Sequence, residues 1–173
     1  LDLSGCIVMP GLVNLHHHFF QTLTRAIPLG LSGHLMDWLR AMYPLWARTT
    51  PDDLAAATQA SMADLLLTGA TTSVDHAYLV PRCDPAYTDA LVGAALESGM
   101  RLHLVSGGIS TLETGLEDML TPLLGPQAGG LVNSPEAVLA DMRRSLRHHD
   151  PRPGARTRVA LGATTTDYGR LDV

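Results

Sequence analysis

The chain has 173 residues, 12 basic residues that are all arginine, and 17 Asp+Glu, for a formal net charge of −5. Hydrophobic residues make up 46% of it and mean hydropathy is +0.11, which excludes a disordered or charge-dominated tail and is enough for one sizeable core. The acidic balance argues against a nucleic-acid partner, and no apolar run approaches the roughly 18 residues of a membrane span. Cys6 and Cys83 are too few for a disulfide framework, and no basic-then-apolar leader follows Leu1, so the expected setting is the reducing cytoplasm.

In chain order, the apolar run Leu12–Leu15 predicts a first strand. His34 to Arg40 predicts a helical stretch with Leu35, Trp38, Leu39 and Met42 on one side, lying over one end of a sheet. Thr50-Pro51-Asp52-Asp53 reads as an N-cap, a proline at the first helical position and acids in the first turn. The Ala-rich run Leu54 to Leu67 then predicts a helix that stops at Gly69. Ala70–Val74 predicts a second strand. Asp84-Pro85 opens a helix that ends at Gly99, and Leu102–Val105 predicts a third strand. Ser106–Asn133 holds eight glycines and prolines in 28 residues and reads as a long functional loop rather than an interdomain linker. Ser134-Pro135-Glu136 opens a third helix through Leu146, closed by Asp150-Pro151, and Arg158–Leu161 predicts a fourth strand.

Strands alternating with helices place the chain in the α/β class with a mainly parallel sheet. The strands lack clean polar alternation, which predicts burial on both faces. At 173 residues the chain is too short for a complete (β/α)8 barrel of about 250 residues.

The strongest chemical signal is Pro10-Gly11-Leu12-Val13-Asn14-Leu15-His16-His17-His18. A strand ending in His-x-His puts His16 and His18 on one face, because side chains alternate with period two. Two neutral imidazoles there make a half-site for Zn²⁺ or another divalent transition metal. The C-terminal end of a parallel strand is the functional end. His17 points the other way and is not assigned as a ligand. His76 ends the second strand at the same end of the sheet, either contacting substrate or supporting the ligands, or as a core histidine paired with Asp75 or backbone. His103, inside the third strand, is read as structural. His148-His149 suits the negative end of a helix dipole. Cys83 precedes a helix start, where a thiol pKa can be lowered, but nothing else marks a nucleophile.

The run Pro10–His18 resembles the first-strand signature of the amidohydrolase superfamily, metal-dependent hydrolases built on a (β/α)8 barrel. Its continuation, Phe19-Phe20-Gln21-Thr22-Leu23-Thr24-Arg25-Ala26, is similar to the branch of 8-oxoguanine deaminases and hydroxy-triazine hydrolases. So are Asp37-Trp38-Leu39, Tyr43-Pro44-Leu45-Trp46, Gly69-Ala70-Thr71-Thr72-Ser73, Asp75-His76-Ala77-Tyr78 and Asp150-Pro151-Arg152-Pro153-Gly154-Ala155. The resemblance implies that residues 1–8 end a small β domain. It implies that residues 9–173 are the N-terminal half of the barrel, a partial barrel of about four strands. His16 and His18 would be two of four or five ligands to a divalent metal, zinc with iron as the alternative. Gln21 and His76 would be substrate-binding; for Gln21 the other reading is a helix-cap amide.

The implied reaction is hydrolytic cleavage of a non-peptide C–N bond, most simply deamination of a guanine-like or triazine-like heterocycle. No catalytic acid or base is identified in this chain; the family pattern places those groups on later strands, so the isolated chain is expected to be an incomplete enzyme. Two alternatives stand beside this reading: a truncated non-catalytic product, and a dechlorinating or cyclic-amide hydrolase of the same superfamily. A homo-oligomer is a further expected assembly. The chain departs from the family pattern at Ser106-Gly107-Gly108-Ile109, at Ala77, and over the tail Gly162-Ala163-Thr164-Thr165-Thr166-Asp167-Tyr168-Gly169-Arg170-Leu171-Asp172-Val173.

Overall fold

The computed structural model describes residues 1–110, 122, 128–149 and 154–162. Four strands, β1 (Leu12–Asn14), β2 (Ala70–Ala77), β3 (Arg101–Ser106) and β4 (Thr157–Leu161), form one parallel sheet in the order β1-β2-β3-β4. Between them run α1 (Leu35–Trp46), α2 (Pro51–Leu67), α3 (Pro85–Ser98), a short α4 (Ala128–Leu131) and α5 (Pro135–His149). Parallel neighbours joined by helical crossovers confirm the α/β class.

The helix ends follow their local chemistry. Thr50 Oγ1 accepts the Asp53 N–H at 3.2 Å, and Asp53 Oδ2 accepts the Thr50 N–H at 2.8 Å, a reciprocal capping box for α2. Asp84 caps α3 by accepting the Ala86 N–H at 3.0 Å. Gly99 closes α3 in the left-handed region, at φ +74°, where a side chain is disfavoured. Ser134 Oγ accepts the Ala137 N–H at 3.2 Å at the start of α5.

Three differences from the sequence reading have physical causes. α1 runs past Arg40 and through Pro44 to Trp46. Its last turns bury Met42, Tyr43 and Trp46, and that burial outweighs the one backbone hydrogen bond a proline removes. β1 is shorter than expected and stops at Asn14. It crosses β2 with a register shift between Leu12 and Val13, beside Gly11, where a Cβ would run into the Thr71 side chain. Finally, β3 and β4 are not buried on both faces. Leu102, Leu104 and Val159 are buried, while Arg101, His103 and Arg158 between them are exposed. Helices cover one face of the sheet only, among the described residues.

The core has two parts. Between helices and sheet, Met62, Leu91, Val92 and Ala95 pack on Ala70, Leu102, Leu104 and Val159. Beyond the C-terminal ends of the strands, Phe20, Met42, Tyr43, Trp46, Leu79 and Ile109 form a second, aromatic-rich cluster. α1 therefore does lie over one end of the sheet. Most of the expected long loop lies outside the described residues; at its two ends, Ile109 and Val132 meet in an isolated parallel bridge. Asp150-Pro151 and the tail from Ala163 also lie outside the described residues.

Candidate metal centre at the strand ends

Because β1 stops at Asn14, His16, His17 and His18 occupy the turn just beyond it, leading into a 3-10 turn over Phe19–Thr24. The alternation of the strand persists through this turn. The His16 and His18 rings lie 4.9 Å apart, edge to face at 87°. The His17 ring packs on Phe19 at 4.8 Å instead, as expected for a side chain sent the other way.

The end of β2 holds this turn in place. The His76 N–H donates to the His17 carbonyl at 2.8 Å. His18 Nδ1 lies 2.9 Å from the His76 carbonyl oxygen. A carbonyl only accepts, so Nδ1 carries the proton and Nε2 is left with its lone pair. The Phe19 N–H donates to Asp75 Oδ1 at 2.8 Å. Two consecutive residues of β2 thus bind three consecutive residues of the histidine turn.

His76 itself brings a third imidazole to the same end of the sheet. Its ring lies 4.5 Å from His16 and 5.8 Å from His18. His17, His18 and His76 are all held below the ordinary imidazole range, with burial the largest cause in each. At His18 the His76 carbonyl partly offsets that burial, and the neighbouring imidazoles His16 and His17 add to the depression. A neutral imidazole with a fixed Nδ1–H is the form that binds a metal through Nε2. The donor chemistry of His16 and His18 therefore fits a divalent transition metal. Among the described residues no group of three His, Cys, Asp or Glu side chains is arranged to hold a metal ion, so the pair alone offers at most part of a coordination sphere.

Gln21 sits one turn on. Its N–H donates to the His18 carbonyl at 3.0 Å, and its side chain hydrogen-bonds the Tyr78 hydroxyl, which is also bonded to Tyr43. Burial pushes the Tyr78 phenol up, so it stays protonated. The Tyr78 ring stands edge-on to His18 at 5.3 Å and to Phe20 at 5.4 Å. Gln21 and Tyr78 stand beside the histidines, with the buried ring of Phe20 packed behind them.

His16, His18, Gln21 and His76 are thus gathered at one end of the sheet. Sequence reasoning left Tyr78 without a role and gave Asp75 only that of a partner for His76 in one reading. Tyr78 lies two residues beyond His76 and was findable by period-two alternation. The same alternation turns Asp75 away from His76, so the reading that pairs those two side chains does not hold, and Asp75 bonds Phe19 instead. Elsewhere, the His103 side chain is exposed. Burial, with the charge of Asp141, pushes the Cys83 thiol up, the opposite of an activated nucleophile. His149 Nε2 reaches Asp89 Oδ1 at 2.8 Å and ties α5 to α3.

Comparison with known proteins adds a family to this geometry. The profile of the amidohydrolase family matches residues 7–162. The chain is 42% identical to an 8-oxoguanine deaminase of Pseudomonas aeruginosa over 166 residues, covering 92% of this chain and 34% of that protein. It is 36% identical to a hydroxydechloroatrazine ethylaminohydrolase of a Pseudomonas species, covering 95% of this chain and again 34% of the relative. The chain therefore spans about a third of the length of these curated relatives. A zinc-complexed atrazine chlorohydrolase from Arthrobacter aurescens superposes with a TM-score of 0.76 at 26% identity, covering 94% of this chain and 36% of that one.

Proposed function

The chain belongs to the amidohydrolase family, and we propose that it carries the first metal half-site and part of the substrate wall of a hydrolase that deaminates a guanine-like or triazine-like heterocycle. One observation carries this reading. The imidazoles of His16 and His18 converge beyond β1, and the His76 carbonyl holds the His18 Nδ1 proton, leaving Nε2 for a metal. The similarity to an 8-oxoguanine deaminase and a hydroxydechloroatrazine ethylaminohydrolase supports the substrate class.

In this reading His16 and His18 hold a divalent ion, zinc by likeness to the zinc-complexed chlorohydrolase, with iron the alternative. When bound, the ion supplies the Lewis acidity that makes water a nucleophile near neutral pH. His76 and Gln21 face the heterocycle, Gln21 with its amide oriented by Tyr78. The partly exposed aromatic ring of Tyr78, backed by the buried Phe20, suits a planar ring. Residues 1–8 belong to the end of a small β domain, and residues 9–173 to the leading half of a barrel. The two unpaired thiols, Cys6 and Cys83, support a reducing cytoplasmic setting.

The likeness to a chlorohydrolase favours a second reading, in which chloride rather than an amine leaves the ring. A graft separates the two. Residues 7–162 replace the matching segment of the P. aeruginosa 8-oxoguanine deaminase, and release of ammonia and of chloride is followed on 8-oxoguanine and on a chloro-triazine. Ammonia release from 8-oxoguanine that is lost in the His16→Ala graft supports deamination. Chloride release alone supports the second reading. A folded, zinc-loaded graft with neither activity counts against both.

A further inference from the structure

The buried carboxyl of Asp75 has no place in the chemistry described so far. Its residue is 1% exposed, and it sits in the middle of a strand with Oδ2 unpartnered. A buried polar atom without a partner is costly and calls for an explanation. Its other oxygen, Oδ1, accepts the N–H of Phe19, the first residue of the 3-10 turn that follows His18. That turn has no side-chain cap of its own at His18. Its first N–H is instead satisfied from β2, 56 residues away in the chain.

We propose that Asp75 is a positioning residue for the metal half-site, acting through the backbone and not on the metal. Oδ1 fixes Phe19. Phe19 is fully buried and anchors the C-terminal side of the histidine turn. The backbone of His76, the next residue on β2, fixes the turn twice more: its N–H holds the His17 carbonyl, and its carbonyl holds His18 Nδ1. Without Oδ1 the turn keeps only the His76 contacts, and the His18 ring loses the fixed backbone from which it reaches that carbonyl. The role needs an oxygen acceptor at this position, and both a carboxylate and a protonated carboxyl supply one. An amide oxygen supplies one as well, whereas an aliphatic side chain does not.

This inference rests on the reading of His16 and His18 as metal ligands, and its test separates the two. Zinc alone is titrated into the full chain and into the variants Asp75→Asn, Asp75→Leu and His16→Ala, with melting followed in parallel. The ring-nitrogen NMR signals of His18 are read on metal-free wild type. The expected results are the Nδ1–H tautomer at His18, zinc affinity in Asp75→Asn close to wild type, and a roughly 10- to 100-fold loss in a folded Asp75→Leu. A folded Asp75→Leu with wild-type affinity overturns the proposal, and so does an Nε2–H tautomer in wild type. If Asp75→Leu does not fold, Asp75→Asn decides: preserved affinity and tautomer uphold the role, and their loss in a folded protein ends it. Zinc binding that survives His16→Ala defeats the metal-ligand reading instead, while the metal-free His18 tautomer, compared between wild type and Asp75→Asn, still judges Asp75.

Discussion

If His18 ligates a metal as proposed, proton and metal compete there for the same lone pair. Burial holds this imidazole below its ordinary value of 6.5, with the crowding of His16 and His17 acting in the same direction. The neutral form therefore persists to lower pH than in a free histidine, and metal affinity persists with it. Zinc titrations at a series of pH values are expected to show affinity falling as pH falls, with the loss attributable to His18 centred below 6.5. His18→Ala removes that component and weakens binding at every pH. A loss centred above 6.5 counts against a buried, neutral His18. Asp75 titrates in the opposite sense. Burial pushes its carboxyl up to about 7, partly offset by the Phe19 N–H, from an ordinary value of 3.8. The folded chain thus keeps a proton that the unfolded chain gives up. The stabilisation this provides is full below about pH 4 and is lost as pH rises to about 7. The shift corresponds to at most about 4 kcal/mol. Asp75→Asn holds a neutral acceptor at all pH values, so its urea-derived stability is expected to be flatter than wild type between pH 4 and 7. Parallel curves for the two proteins would show that Asp75 does not carry this dependence.

Among the elements, α2 and α3 were the most legible in the sequence, because their ends are written in local chemistry. Thr50 and Asp53 close a reciprocal box, and Gly99 takes a left-handed conformation. Thr50→Ala is expected to cost about 1 kcal/mol by removing the acceptor of the Asp53 N–H. Gly99→Ala is expected to cost about 1–2 kcal/mol, because a Cβ is disfavoured at positive φ. Urea unfolding of each variant measures both, and a neutral Thr50→Ala would mean that α2 is held by packing alone. The candidate site was legible for the same kind of reason. His16 and His18 sit two apart in one short motif, and His76 ends a recognisable strand. What escaped the sequence was long-range. The hydrogen bond from Phe19 to Asp75 joins residues 56 apart, and no local pattern announces it. The continuation of α1 through Pro44 was hidden likewise, since the burial of Trp46 against Phe20 and Tyr43 depends on elements distant in sequence or on the far side of the proline. One-sided burial of β3 was hidden because Val105 breaks the alternation of Leu102, His103 and Leu104, although only Leu102 and Leu104 enter the helix-facing core.

For the molecule as a whole, the sheet sets the behaviour of the chain in isolation. Among the described residues, β1 and β4 each pair on one side only, and the face that carries Arg101, His103 and Arg158 is uncovered. Apolar side chains lie along the β1 edge: Leu12 is 52% exposed and Val13 56% exposed. Ile7, just before this edge, is 94% exposed. Unpaired strand edges next to exposed apolar residues are templates for pairing with another chain, and natural edges are protected by charges such as lysine. The chain has no lysine anywhere. Its own net charge of −5 opposes association only weakly once salt screens it. The isolated chain is therefore expected to associate with rising concentration in the micromolar to millimolar range, more so at high salt. Light scattering coupled to size exclusion reads the mass directly. Val13→Lys places a charge on the exposed β1 edge, outside the buried core, and is expected to shift the chain toward monomer. If wild type stays monomeric across that range at high salt, the exposed edge is not an association site. If Val13→Lys associates as wild type does, the contact lies elsewhere, with β4 and the uncovered face as the next surfaces to charge.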